Sequence, residues 1–348
     1  MERVLFHFGH RTENGWKNVS IAEINTQKPV VLCFGGNGVV SDTFANGMNK
    51  LTENLIGVKP KDKYIDMFSI HYGGNVGAET GNVSDGELYI IKKNLFEPLV
   101  FDKNEERLML DEASRNMRNI NIISNCYGAE LVARLMKSLS VDMQEKGYEK
   151  SEIKEILRQV LHVSYAPFSE NEFSTNLEVK SLHDEILYKK YTKSEESVMR
   201  KPIKGLESPS ILFKNYLKSG KLVKKGNTIN LYGTSFIAEN SVTDEHNIFL
   251  VKRDENWNIK LQSHRADAVS KCMAHTLAVG VINSKQNQKS QKFEPLPSAQ
   301  DFVTINQMVL DEANNTKEEK FQKSIYNRQK KAFLKRMADK NKQEELGL

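Results

Sequence analysis

Asn119-Ile120-Asn121-Ile122-Ile123-Ser124-Asn125-Cys126-Tyr127-Gly128-Ala129-Glu130 is the stretch from which the fold is read. The alternating run Ile120-Asn121-Ile122-Ile123 predicts a buried strand. Leu131, Val132, Leu135, Met136 and Leu139 then recur at helical spacing, so a helix starts within five residues of the strand's end. The turn between them has small residues, Ser124 and Gly128, two places before and two places after Cys126. A sharp strand-to-helix turn needs small residues there, because its central residue is backbone-strained and a Cβ two places away would clash. Cys126 takes the centre of that turn.

Outward from this point, strands and helices alternate. Residues 3–8 and 19–25 are short alternating segments on either side of Thr12-Glu13-Asn14-Gly15, and the Asn-Gly pair predicts an opening hairpin. The apolar run from Pro29 to Phe34 predicts a buried strand that ends in Gly35-Gly36-Asn37-Gly38. Asp42 caps a predicted helix carrying Phe44, Met48, Leu51 and Leu55, and Tyr64 to Ile70 is the next strand. Helical stretches are expected from Leu88 to Val100 and from Asn104 to Met117.

Beyond the central helix, Val160 to Tyr165 is a strand closed by Ala166-Pro167. Residues 168–226 lack clean strand periodicity and are rich in Lys, Glu and Ser. Thr228 to Tyr232 resumes as a strand, and a hairpin is expected over 247–252 and 257–262. The last apolar helix carries Ala266, Val269, Met273, Leu277 and Val281. Residues 284–289 read as a polar linker, and 284–348 as a polar, partly helical C-terminal tail. This order implies an α/β fold, a mainly parallel sheet flanked by helices, with working residues at the carboxyl ends of its strands.

Composition narrows the function classes. The 348 residues are 39% hydrophobic and 27% charged, which suits a globular protein with a sizeable core. A net charge of +5 is small and dispersed, with no zinc-finger spacing or aromatic-interleaved basic patch, so nucleic acid is not the expected partner. Three cysteines without paired spacing point to thiols in a reducing compartment. With no signal-peptide h-region at the N-terminus and no apolar run near the ~20 residues that span a bilayer, the expected location is cytoplasmic, without a transmembrane segment.

The chain resembles the α/β-hydrolase superfamily of lipases, esterases and thioesterases over roughly residues 1–283. Three features in order carry the resemblance: Cys33-Phe34-Gly35-Gly36-Asn37-Gly38, the elbow from Ser124 to Gly128, and a late strand leading into Ser263-His264 and a helix. The resemblance implies that Cys126 is the nucleophile where serine is usual. Backbone N–H groups at Gly36-Asn37 and at Tyr127 would form the oxyanion hole. His264 is the first choice for the general base, and His246 the second. For the acid, Asp244 comes first and Glu239 next, with Glu245 also in reach. Residues 168–226 would form a lid-type insertion.

The implied reaction is hydrolysis of an ester or thioester of a small-molecule or lipid acyl substrate through an acyl-enzyme, with neither cofactor nor metal. Cys33 and Cys272 read as core residues. The alternative is a catalytically decayed binding module on the same fold. The Lys-, Asn- and Ile-rich composition and the C-terminus Gln343-Glu344-Glu345-Leu346-Gly347-Leu348 also resemble bacterial effectors exported to a host cell by intracellular pathogens. In that reading the tail carries the export signal. Otherwise it is a solvated helix that contacts a protein or a membrane surface.

Overall fold

The computed structural model describes residues 6–12, 15–36, 66–72, 83–181, 221–233 and 264–311. The helix expected after Asp42, the hairpin expected over 247–262 and the tail beyond 311 lie outside the described residues.

Among the described residues nine strands form one sheet. They are β1 (Phe6–Thr12), β2 (Gly15–Val19), β3 (Val30–Phe34), β4 (Met67–Tyr72), β5 (Ile120–Asn125), β6 (Leu161–Tyr165), β7 (Thr175–Ser181), β8 (Lys221–Lys225) and β9 (Thr228–Gly233). Their order across the sheet is β2-β1-β4-β3-β5-β6-β7-β9-β8. The six strands from β4 to β9 in that order run parallel. An antiparallel hairpin closes each edge, β1 with β2 and β8 with β9.

The helices are α1 (Asp85–Ile91), α2 (Leu110–Met117), α3 (Tyr127–Glu145), α4 (Lys150–Leu157), α5 (His264–Lys289) and α6 (residues 299–311). α1 runs on into a wide turn over Lys92–Phe96. Ser84 caps α1 with Glu87 in a reciprocal box, which satisfies two of the orphan N–H groups at its start. The chain alternates between faces of the sheet as strand geometry requires. Val31, Cys33, Ile123, Val163, Leu177, Val179 and Leu231 meet Met273, Leu277 and Val281 of α5 and Phe302 of α6. Val30, Leu32, Phe34, Ile120 and Ile122 face Leu131 and Leu135 of α3 and Ile153 and Leu157 of α4. Each such fully buried side chain stabilises the fold by about 1.5–3 kcal/mol. The architecture is therefore a mixed, mostly parallel α/β sheet with helices on both faces.

Several expectations change. The second opening strand is Gly15–Val19 and not 19–25, with a 3-10 turn over Ile21–Glu23, and the helix expected from Asn104 starts at Leu110. Within 168–226 the structure places β7 between β6 and β9, and β8 at the edge. Thr175-Asn176-Leu177-Glu178-Val179-Lys180 alternates strictly, with Leu177 and Val179 in the core, but its polar positions 176 and 178 are buried too. An inward-facing polar side is what hides this strand from a search for apolar runs. In place of a polar linker at 284–289, α5 continues to Lys289, with Ser284 and Asn287 buried. α6 then returns Phe302 and Leu310 to the core.

Candidate functional site

β5 runs between β3 and β6 and delivers Cys126 to the carboxyl edge of the sheet. There the backbone breaks sharply: Cys126 has φ +53° and ψ −121°, and α3 begins at the next residue. A non-glycine residue with positive φ costs about 1–3 kcal/mol and persists only where its surroundings hold it. The hold is visible on both sides. The N–H of Cys126 donates to the carbonyl of Tyr165 (3.0 Å), and its carbonyl accepts from Ala129 (3.1 Å) and Phe168 (3.3 Å). Beside it, at the end of β6, Ala166 also has positive φ (+50°) and donates its N–H to Val179 O (2.8 Å).

Glycines allow the close approach. A Cβ on Gly128 would collide with the carbonyl of Phe34 and lie 2.6 Å from that of Gly35, so only glycine lets α3 start against the end of β3. A Cβ on Gly36 would sit 2.7 Å from both Cys126 Cβ and Asn125 Oδ1. The turn after β3 thus lies directly on the cysteine. Gly36, Cys126 and Tyr127 are brought together. Cys126 itself is almost fully covered, at 4% exposure.

Two tyrosines frame this corner. Tyr127 stands edge-on to Tyr72 (centroids 5.9 Å apart), whose hydroxyl donates to Gly35 O at 2.6 Å. The hydroxyl of Tyr127 accepts the N–H of Val83 (3.1 Å), tying the approach to α1 to the start of α3. Burial raises the pKa of both phenols, most strongly that of Tyr72. Arg134 faces Tyr127 Oη and pairs with Asp85 (2.6 Å).

Of the histidines, His264 is the first residue of α5. Asn37, Glu239, Asp244 and His246 lie outside the described residues. Sequence reasoning passed over His162, whose Nε2 lies 2.7 Å from Ser124 Oγ, while Asn171 Nδ2 approaches its Nδ1 at 3.4 Å. If the amide of Asn171 donates to Nδ1, the ring proton sits on Nε2 and points at Ser124, so this imidazole anchors the strand below Cys126. Burial lowers its pKa to about 4. Ser164, Glu178 and Asn230 were also passed over. They are buried polar side chains on the same face of the sheet, and strict alternation along β7 was their one sequence signal.

Among the described residues no three His, Cys, Asp or Glu side chains are grouped to hold a metal ion, and no helix is long and apolar enough to cross a membrane. No protein-family model matches the chain. No curated protein matches it either.

Proposed function

We propose that the chain is an acyl-transfer hydrolase that cleaves an ester or thioester of a small-molecule or lipid acyl substrate through Cys126. The observation that carries this reading is the left-handed backbone of Cys126 between a parallel strand and a helix, with Gly36 laid against its side chain. Strain of this kind holds a side chain at the head of a helix, beside backbone N–H groups that can receive developing negative charge. The thiolate attacks the carbonyl carbon and a C–S bond forms. As the first helical residue, Tyr127 has an N–H with no intrahelical acceptor, and that N–H and one at Gly36-Asn37 receive the oxyanion. A histidine takes the thiol proton and returns it to the leaving alcohol or thiol. His264 is first choice for this base and His246 second, with Asp244 or Glu239 orienting it. Water then releases the acyl group and regenerates the thiol.

Hydrolysis of p-nitrophenyl esters and acyl thioesters tests the reading. Replacement Cys126→Ala abolishes turnover, and undiminished turnover sinks the proposal. The near-complete cover over Cys126 favours a second reading, a binding module that has lost its chemistry. Iodoacetamide at pH 6–7 separates the two: Cys126 reacts faster than a model thiol in the hydrolase, and no faster in the module. Export to a host cell is a separate proposal, supported by the polar C-terminus. Because residues up to 310 reach the core, the informative deletion starts at 312, and unchanged translocation discards an export signal there.

A further inference from the structure

On the face of the sheet that carries Cys126, two successive rungs cross β6, β7 and β9. The lower rung is His162, Asn176 and Thr228, and the upper is Ser164, Glu178 and Asn230. The lower rung is saturated. His162 meets Ser124 and Asn171, while Asn176 Nδ2 donates to the carbonyls of Asn171 and Ser174 (3.0 Å to the latter) and to Thr228 Oγ1 (3.1 Å). Asn176 Oδ1 accepts from Ser174 Oγ at 2.7 Å. The upper rung is open: Ser164 Oγ, Glu178 Oε1 and Asn230 Oδ1 are buried with no hydrogen-bond partner, and Glu178 Oε2 has the Lys180 ammonium beside it. Each buried polar atom left this way costs about 1–3 kcal/mol, so the upper rung works against the fold. It also lies nearer the carboxyl ends of the strands, where open parallel sheets bind ligands. Strand spacing and rise put the Cα of Glu178 about 12 Å from that of Cys126.

We propose that Ser164, Glu178 and Asn230 form a subsite for an uncharged ligand group rich in O–H or N–H donors, a polyol or an amide. The open atoms of Glu178 and Asn230 are acceptors, and the Ser164 hydroxyl can donate as well as accept, so a partner carrying donors fits the rung. Charge excludes the simpler occupants. Lys180 Nζ lies 2.7 Å from Glu178 and balances it, so a cation would face the ammonium and an anion the carboxylate. The same ion pairs link the rung to the surface. Side-chain exposure rises from 1% at Glu178 to 12% at Lys180, 56% at Glu170 and 73% at Lys225, each paired with the next. Glu170 also lines a surface hollow with Arg134, Lys137, Asn171 and Phe173, between α3 and the segment joining β6 to β7.

The test is ligand-dependent thermal unfolding of the full chain, which does not depend on Cys126 chemistry. The probes are D-glucose for the polyol and N-acetylglycinamide for the amide, with acetate and ethanolamine as charged controls. One neutral probe raises Tm by several degrees, which also identifies the source, and Ser164→Ala or Asn230→Ala weakens its binding at least tenfold. Unligated Ser164→Ala is as stable as the parent, because no bond is lost. The same probe binds Cys126→Ala, whether or not that cysteine is a nucleophile. The proposal is overturned if neither neutral probe binds, if a charged control binds as well, or if unligated Ser164→Ala loses several degrees. That last outcome would make the rung a structural water site.

Discussion

Two groups of buried polar side chains lie on either side of the same sheet, and they are built by opposite rules. Around Arg118 every donor is matched. Its Nε donates to Asn283 Oδ1 (2.7 Å), Nη1 to the carbonyls of Gln159 (2.5 Å) and Ile120 (3.4 Å), and Nη2 to Asn121 Oδ1 and Gly280 O (both 2.6 Å). Ser284 Oγ completes the group by donating to Arg118 O (2.8 Å). These acceptors are neutral, and burial pulls the guanidinium pKa down to about 9. The arrangement ties the start of β5 and the approach to β6 to the middle of α5. Across Ser164, Glu178 and Asn230, by contrast, Ser164 Oγ, Glu178 Oε1 and Asn230 Oδ1 are buried without a hydrogen-bond partner, and only the Lys180 ammonium meets the carboxylate. A saturated interior network holds a fold in one arrangement, whereas open acceptors leave room for another molecule.

The comparison can be broken most directly at Arg118. Arg118→Ala takes a donor from five protein acceptors and is expected to cost about 3–5 kcal/mol in urea unfolding. A loss below about 1 kcal/mol would mean that the network does not hold α5. Next comes pH. His162 titrates near 6.5 in the unfolded chain and at about 4 in the folded one. As pH falls through that window the unfolded chain binds a proton that the folded chain refuses, so stability declines by up to roughly 3 kcal/mol, and this contribution is flat above it. His162→Gln flattens the decline, and an unchanged pH profile would remove His162 as its source.

Gly280→Ala is a smaller intrusion at the saturated end. Its Cβ would strike the side chain of Leu161 and come within 2.6 Å of Asn121 Oδ1, with an expected loss of about 1–3 kcal/mol. Tyr127→Phe removes the acceptor for Val83 N–H beside Cys126 and is expected to cost about 1 kcal/mol. A Tyr127→Phe loss exceeding that of Arg118→Ala would mean that the corner beside Cys126, and not the Arg118 network, is the more strongly held polar contact.

The legible part of the chain was the local part. Strand, turn and helix from 119 to 145 follow from adjacent residues, and so does the proximity of Cys126 to Tyr127. That Gly36 joins them follows from β3 lying beside β5; the apolar run before Gly35-Gly36 marked a buried strand, and only the resemblance implied its nearness to Cys126. β7 was not legible, because Asn176 and Glu178 are polar yet turned inward. Ser284 and Asn287 looked like linker residues for the same reason: their polarity serves Arg118 and the turn after α5 rather than solvent. Ser164, Glu178 and Asn230 come from three strands brought side by side in the sheet, a relation that no spacing along the chain encodes.

The edge hairpins have a bearing on how the chain behaves at high concentration. Among the described residues the sheet ends at β2 and β8, and the backbone groups of an end strand can recruit a strand from another copy. Here β8 reads Lys-Leu-Val-Lys-Lys with Lys224 and Lys225 exposed, and β2 presents Lys17 and Asn18. Lysines on both of these borders disfavour edge-to-edge pairing between copies of the chain.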